Sequence, residues 1–253
     1  MYSGDHGRII QVWDTATHEC ISVLREHTGY VRCLTAVGDK VYSGSFDETI
    51  RVWDTATHEC VSTLRGHFFD VNHLLAVRDK VYSGSNDVTI RVWDAATHDC
   101  ITTLRGHTWF VYCLIAVGDK VYSGSHDTTI RVWDTATHVC ISILQGHFGS
   151  VECLIAVGNK VYSGSRDHTI RVWDTATHDC ISTLRWHTDI VSCLIAVGDK
   201  IYSGSHDMTI RVWDAATHEC ISTLRGHTKI TSLMAVGGKV YSGGYDKTIQ
   251  VWR

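Results

Sequence analysis

Short runs of alternating apolar and polar residues, separated by Gly, Asp, Asn and Thr, recur along the whole chain. In Val121 to Asp134, VYSGSHDTTIRVWD, two β-rich runs flank a tight turn and a Trp stands near the end of the second. Tyr, Ser and Gly return at Tyr42, Ser43 and Gly44 and at forty-residue steps after that. Trp returns at Trp13, Trp53, Trp93, Trp133, Trp173 and Trp213, then one residue early at Trp252. Seven copies span the 253 residues, so the chain reads first as a repeat.

Each unit breaks into four segments that the pattern predicts as strands. In one unit these are Trp109 to Val117, Val121 to Ser125, Thr129 to Trp133 and Cys140 to Leu144, joined by turns at Gly118 to Lys120, His126 to Thr128 and Asp134 to His138. The chain has no Pro, and Gly, Asp, Asn and Thr supply the turn chemistry. One four-stranded sheet cannot bury both of its faces, so the units must stack on one another, and radial stacking makes a propeller.

Gly-His pairs at Gly66–His67, Gly106–His107, Gly146–His147 and Gly226–His227, each followed by Trp-Asp or Trp at a fixed distance, closely resemble the WD-repeat family over essentially the whole chain. The resemblance implies an all-β propeller of four-stranded antiparallel blades, here one domain over residues 1–253. The ends do not match the pattern. The first unit starts at its second strand with Tyr2 and Ser3, Gly7 stands where the turn Asp belongs, and Asp5 stands at the position of Ser45. The last unit stops at Trp252–Arg253, before its fourth strand. Seven blades with an incomplete seam is one expectation, favoured by the intact run Ile9 to Asp14 and by the commonness of seven in the family. Six is the other, with Cys20 to Leu24 completing the last blade and Met1 to Asp14 displaced.

Hydrophobic content of 44% is ordinary for a folded soluble protein, and the net charge of −4 is spread over both signs, which leaves no basic footprint for nucleic acid. Apolar runs of about five residues are far short of a membrane span. The repeat begins at Tyr2, which leaves no room for a signal peptide. Six Cys recur at Cys20, Cys60, Cys100, Cys140, Cys180 and Cys220, and four at Cys33, Cys113, Cys153 and Cys193, where His73 and Ser232 take the equivalent places. That substitution argues against pairing and predicts small buried strand residues in a reducing compartment, the cytoplasm or nucleus.

Ser, His and Asp recur with each Trp, and a hydrolase triad is the sharp reading of them. The sets are His27/Ser43/Asp47/Trp53, His67/Ser83/Asp87/Trp93, His107/Ser123/Asp127/Trp133, His147/Ser163/Asp167/Trp173, His187/Ser203/Asp207/Trp213 and His227/Ser242/Asp246/Trp252. Catalysis needs one nucleophile in one pocket, whereas a set in every sheet is a fastening. The family resemblance implies a structural relay, Trp to Ser to His to Asp, and the donor and acceptor chemistry allows it. The repeated Thr-His-x-Cys places His and Cys two apart, but zinc needs about four ligands. No metal, cofactor or catalytic residue is expected.

The differences between units carry the functional information. Loops after the first and third strands are nearly uniform; loops before the first strand and after the second vary, and in a meander these share one rim. Ten aromatics lie outside the framework positions, Tyr30, Phe46, Phe68, Phe69, Trp109, Phe110, Tyr112, Phe148, Trp186 and Tyr245, all on that rim or at first-strand starts. With Arg32, Asp70, Asn86, His126, Glu152, Arg166, Asp189, His206 and Lys229 they make a candidate partner-binding surface. Some of the rings, Phe110, Tyr112 and Trp186 above all, could instead fill the core between blades. The expected function is a non-enzymatic scaffold for a protein or peptide, as a monomeric propeller or part of a larger complex, with neither nucleic acid nor membrane as partner. Alternatives are a substrate-recruiting domain of a ubiquitin-ligase or kinase assembly, and a modified-peptide reader with an aromatic cage or an Arg32/Arg166 phosphate clamp. Glu152 is the one channel-side acid that an enzyme reading could use. The near-identity of the units is also similar to the amplified WD-repeat arrays of some recognition and immune-receptor proteins.

Overall fold

A computed structural model describes residues 1–4 and 7–252; Asp5 and Arg253, which entered the reading of the chain ends, lie outside the described residues. Seven antiparallel sheets follow one another along the chain. The first is β1 (Tyr2–Gly4), β2 (Ile10–Trp13) and β3 (Cys20–Leu24). The second is β4 (Val31–Val37), β5 (Lys40–Ser45), β6 (Ile50–Asp54) and β7 (Cys60–Leu64), and the third is β8 (Val71–Val77), β9 (Lys80–Ser85), β10 (Ile90–Asp94) and β11 (Cys100–Leu104). The fourth is β12 (Val111–Val117), β13 (Lys120–Ser125), β14 (Ile130–Asp134) and β15 (Cys140–Leu144). The fifth is β16 (Val151–Val157), β17 (Lys160–Ser165), β18 (Ile170–Asp174) and β19 (Cys180–Leu184). The sixth is β20 (Val191–Val197), β21 (Lys200–Ser205), β22 (Thr209–Asp214) and β23 (Cys220–Arg225), and the last is β24 (Ile230–Val236), β25 (Lys239–Gly244) and β26 (Ile249–Trp252).

Every sheet is a meander in chain order; the first and last have three strands and the rest four. The seven-bladed expectation holds. In the six-bladed alternative β3 would leave for the last sheet, but β3 pairs with β2 from Ile10↔Leu24 to Trp13↔Cys20. Strand limits differ by a residue or two from the sequence reading. First strands start at Val111 and not Trp109, because the two residues before Val111 lie in the loop that enters the sheet. In the four-stranded sheets the third strand runs on to the Asp, whose carboxylate then closes the next turn: Asp94 Oδ1 accepts the N–H groups of Ala96 and Thr97 at 2.8 Å each.

The described chain falls into two compact units, residues 1–116 with 135–139, and residues 117–134 with 140–253. Both build their cores the same way. Strand alternation sends one side-chain set to the preceding sheet and the other to the following one. In the first unit Tyr42, Ile50, Val52 and Leu64 of the second sheet pack on Val71, Leu74, Val81 and Trp93 of the third. In the other unit Tyr162, Ile170, Val172 and Leu184 meet Val191, Leu194, Ile201 and Trp213. Each fully buried side chain of this kind stabilises the fold by roughly 1.5–3 kcal/mol. Glycine sets the sheet spacing: a Cβ on Gly44 would stand 2.7 Å from Val71 Cγ1, and one on Gly164 2.7 Å from Val191 Cγ1.

Polar contacts also join neighbouring sheets. The Tyr42 hydroxyl donates to the Ala95 carbonyl at 3.0 Å and Tyr162 to that of Ala215 at 3.2 Å. The His of each Thr-His-x-Cys run lies in the left-handed region, with φ of 66° at both His98 and His178, and three of the rings meet a Tyr edge-on: His98 with Tyr42, His178 with Tyr122 and His218 with Tyr162.

The ten Cys are free thiols, but they are not uniformly buried. Cys20, Cys100 and Cys180 are exposed, Cys60, Cys140 and Cys220 are partly so, and of all ten only Cys113 is fully buried. The fourth strand is an outer strand, so its Cys has core on one side only, beside an Arg of the third strand: Arg91 Nη1 lies 3.6 Å from Cys100 Sγ and Arg171 Nη1 3.5 Å from Cys180 Sγ.

Candidate interaction rim and the buried hydrogen-bonded sets

The Ser, His, Asp and Trp of a unit come together inside one sheet. Trp53 Nε1 donates to Ser43 Oγ at 2.8 Å, and His27 reaches Ser43 Oγ through Nε2 and Asp47 through Nδ1, each at 2.7 Å. Indole can only donate, so the Ser hydroxyl passes its own proton toward Nε2 and the imidazole N–H points at the carboxylate. The sets of His67, His147, His187 and His227 repeat these connections. Ser83 lies between Trp93 at 2.8 Å and His67 at 2.7 Å, and His67 reaches Asp87 at 2.7 Å. Ser163 lies between Trp173 and His147, and Ser203 between Trp213 and His187, again at 2.8 and 2.7 Å, with Asp167 and Asp207 at 2.7 Å from the far ring nitrogens. Ser242 is 2.8 Å from both Trp252 Nε1 and His227 Nε2, and His227 Nδ1 lies 2.9 Å from Asp246 Oδ2. In the unit of His107, Trp133 donates to Ser123 at 2.8 Å, and Asp127 Oδ1 accepts from Thr129 at 2.7 Å. His107 is buried.

The serines correct the sharp reading of these sets. A triad nucleophile must meet its substrate, so its hydroxyl needs an open face. Ser43, Ser83, Ser123, Ser163 and Ser203 have no solvent exposure and Ser242 has 1%. All six therefore belong to the core of their sheets and not to an open site, because the second strand that carries them is covered on both flanks by the first and third.

Burial alone would raise the Asp47 pKa, but hydrogen bonds from His27 and Thr49 outweigh it and hold the carboxyl well below the usual carboxylate range. The same balance, with His67, His147 and His187 as donors, lowers Asp87, Asp167 and Asp207. Asp246 is lowered chiefly by Thr248, with His227 adding to it. The second carboxylate oxygen caps the turn, as when Asp47 Oδ1 takes the Thr49 N–H and hydroxyl at 3.1 and 2.6 Å.

That turn carries the variable residue just before each Asp, and it is bonded to the loop that enters the first strand. Phe46 N–H donates to Tyr30 O at 3.0 Å, Asn86 to Asp70 at 3.0 Å, Arg166 to Ser150 at 2.9 Å, His206 to Ile190 at 2.9 Å and Tyr245 to Lys229 at 2.9 Å. The two variable loops of a sheet therefore meet. The uniform loops meet each other, as Thr55 N–H to Asp39 O and Ala215 N–H to Asp199 O, both 2.9 Å.

In the first unit this rim is mostly aromatic. Phe68 is 72% exposed, and Phe69, Trp109, Tyr30 and Phe46 are exposed too. Tyr30 stacks edge-on to Phe46 at 5.6 Å, with the Arg32 guanidinium 5.4 Å from the centre of the same ring. Trp109, Phe110 and Tyr112 form a tilted row at 5.6 and 6.4 Å, with Phe110 and Tyr112 half-buried. Asp70, Asn86 and Asn72 are linked: Asn86 Nδ2 donates to Asp70 at 3.0 Å, and Asn72 Nδ2 to Asn86 at 2.7 Å and to Val111 O at 2.9 Å. Asn72, buried in β8 beneath the rim, is a supporting residue that the sequence reading missed; its signal was a lone amide where other units carry Arg, Tyr, Glu, Ser or Thr.

In the second unit the rim is more polar. Arg166 Nε donates to Glu152 at 2.6 Å, and His126 Nδ1 lies 2.6 Å from Ser150 Oγ on the next sheet. His206 meets Tyr245 edge-on at 6.2 Å, and burial, aided by Lys229, lowers its pKa. Asp189 Oδ1 turns back to the Ile190 N–H, and Lys229 and Tyr245 are exposed. Phe148 is 87% exposed. Trp186, which stands where other units have the Gly of Gly-His, is 62% exposed with Arg211 5.8 Å from its ring centre, so it does not fill the core. Glu26 holds the corresponding place in the second sheet and pairs with Arg51 at 2.5 Å.

Seven meander sheets with this packing and these loops define a seven-bladed β-propeller. The chain belongs to the WD domain, G-beta repeat family, whose pattern matches residues 18–54, 58–94, 98–134, 138–174, 178–214 and 218–253. Propellers of this family are generally protein-interaction scaffolds and generally not enzymes. Among solved structures the chain is similar to a crystal structure of the computationally designed Ika8 protein, with a TM-score of 0.90 and 32% identity, covering 99% of this chain and 79% of that one. No curated protein matches the chain.

Proposed function

We propose that the protein is a non-enzymatic scaffold that binds a protein or peptide through the variable rim. The observation that carries this reading is the set of solvent-exposed rings Tyr30, Phe46, Phe68, Phe69 and Trp109 on the first unit's rim, on loops whose framework is otherwise repeated from sheet to sheet. Rings held out in water cost free energy unless a partner covers them, and Trp, Tyr and Arg dominate interface energetics. Asp70, Asn86 and Arg32 beside them, and Glu152, Arg166, His206 and Tyr245 on the second unit, supply polar contacts for specificity. A catalytic role for the Ser-His-Asp sets is disfavoured by the burial of every Ser hydroxyl inside its sheet. Free thiols on outer strands fit the cytoplasm or nucleus.

The test is affinity purification from the cells that make the protein, comparing wild type with the Phe68→Ala, Phe69→Ala, Trp109→Ala, Phe110→Ala variant. The variant is expected to keep its cooperative unfolding and lose the partners. Recovery of the same partners at equal strength by the folded variant would overturn the rim reading.

A further inference from the structure

Two third-strand arginines carry a charge that no carboxylate matches. Arg91 Nη1 lies 3.6 Å from Cys100 Sγ, and Arg171 Nη1 lies 3.5 Å from Cys180 Sγ. Among the described residues no other side chain bonds to either guanidinium, although each has five N–H donors. Nε of both is buried and unpartnered. The two thiols are free and exposed on outer strands.

The second sheet shows what this place accepts. Arg51 is the counterpart of Arg91 and Arg171, since Arg51↔Thr63, Arg91↔Thr103 and Arg171↔Thr183 are one register position. Arg51 Nη1 also reaches a thiol, Cys60 at 3.6 Å, and it pairs with the Glu26 carboxylate at 2.5 Å. One guanidinium therefore holds a carboxylate and a sulfur side by side. Gly66 and Gly146 stand where Glu26 does, and have no side chain to offer. They lie directly against the arginines: a Cβ on either would stand 2.7 Å from the Arg Nη1. Over Arg91 and Arg171 the chain supplies the sulfur and leaves the carboxylate out.

We propose that Cys100 and Cys180 form reversible mixed disulfides with an anionic peptide disulfide of the glutathione type, whose carboxylate takes the place on Arg91 or Arg171 that Glu26 takes on Arg51. The Cys thiol gives up its proton, and its sulfur attacks one sulfur of the incoming disulfide. The new S–S bond forms as the old one breaks, and the departing half leaves as a thiolate that takes up a proton. The Cys is oxidised and the departing half reduced, so the disulfide itself is the only oxidant. Reverse exchange with a thiol removes the cap. These sites lie on outer strands and are independent of the rim.

The chain carries its own control. Cys20 is exposed on β3, and Gln11, opposite Val23, holds the Arg position there. The whole protein is treated at pH 8 with oxidised glutathione, which is anionic, or with cystamine, a cationic disulfide. Mass spectrometry after digestion reads the initial rate at each Cys, and the ratio of the anionic to the cationic rate isolates the effect of charge. That ratio should be at least about fivefold higher at Cys100 and Cys180 than at Cys20, the effect of one unit charge at contact distance in water. Arg91→Gln, which installs the residue that the first sheet already has, should bring the Cys100 ratio to the Cys20 value and leave Cys180 unchanged. Gln11→Arg should raise the ratio at Cys20. Equal ratios at Cys20, Cys100 and Cys180 overturn the proposal on the wild-type protein alone, as does an unchanged Cys100 ratio in a folded Arg91→Gln variant.

Discussion

The indole N–H of Trp133 donates to the hydroxyl of Ser123 over 2.8 Å, across two strands of one sheet. Trp133 is also almost wholly buried, so one side chain serves both the polar set and the apolar core. Trp133→Ala should cost about 3–5 kcal/mol, the range of large aromatic truncations in cores. Trp133→Phe keeps most of the bulk and leaves the hydroxyl without its donor, which should cost about 1–3 kcal/mol. Urea unfolding gives both values; an unchanged midpoint for Trp133→Ala would refute the fastening role.

His73 stands where four other units have Cys, and burial pushes its pKa down to about 4, with Nδ1 buried and unpartnered. The unfolded chain takes up this proton near the ordinary value of 6.5 and the folded chain does not until about 4. Stability is thus full above pH 6.5 and falls as the pH drops from there to about 4, by up to roughly 3 kcal/mol from this group. His178, His206 and His218, also lowered by burial, add to the same slope. The Asp of the hydrogen-bonded sets act in a separate window: their stabilisation is present above the unfolded value of 3.8 and is lost below it. His73→Cys should flatten the dependence of Tm on pH between 4 and 6.5 without removing it; an unaltered profile would show that His73 is not held neutral.

Thiol labelling should divide the Cys by strand. Cys20, Cys100 and Cys180, exposed on outer strands, should react with iodoacetamide at pH 8 under native conditions. Cys33 and Cys193 on first strands should not, since burial pushes their thiols up to about 12 and the thiolate is the reactive form. Mass spectrometry after digestion reads the two classes, and equal rates would contradict them.

The strand order and the grouping of the Ser, His, Asp and Trp residues were legible in the sequence because both follow from a period; the period left six and seven blades open, and the pairing of β3 with β2 decides for seven. What a period cannot show is which side of a strand has a neighbour. The Cys of Thr-His-x-Cys looked like core residues because Cys so often is, yet the fourth strand has sheet on one flank and solvent on the other. His98, His178 and His218 were read as turn residues, which their left-handed backbone bears out, but their rings pack on Tyr42, Tyr122 and Tyr162 one sheet away. Trp186 shows the reverse: a large apolar residue that looked as suited to the core as to the surface is exposed, because the Gly it replaces sits over an Arg and leaves no buried space for a ring. Side-chain pairing on the rim, such as Arg166 with Glu152, depends on which rotamers meet and leaves no trace in spacing.

The contact of Gly44 with Val71 recurs as Gly84 with Val111, Gly164 with Val191 and Gly204 with Ile230, so within both units neighbouring sheets are fitted by nearly one surface. A forty-residue segment moved from one position to another would meet the same glycine, the same Val or Ile and the same Trp. Each segment also carries its own rim residues. Recombination that exchanged one copy for another in the gene would therefore reshuffle the rim residues while keeping the glycine, Val or Ile and Trp contacts between neighbouring sheets.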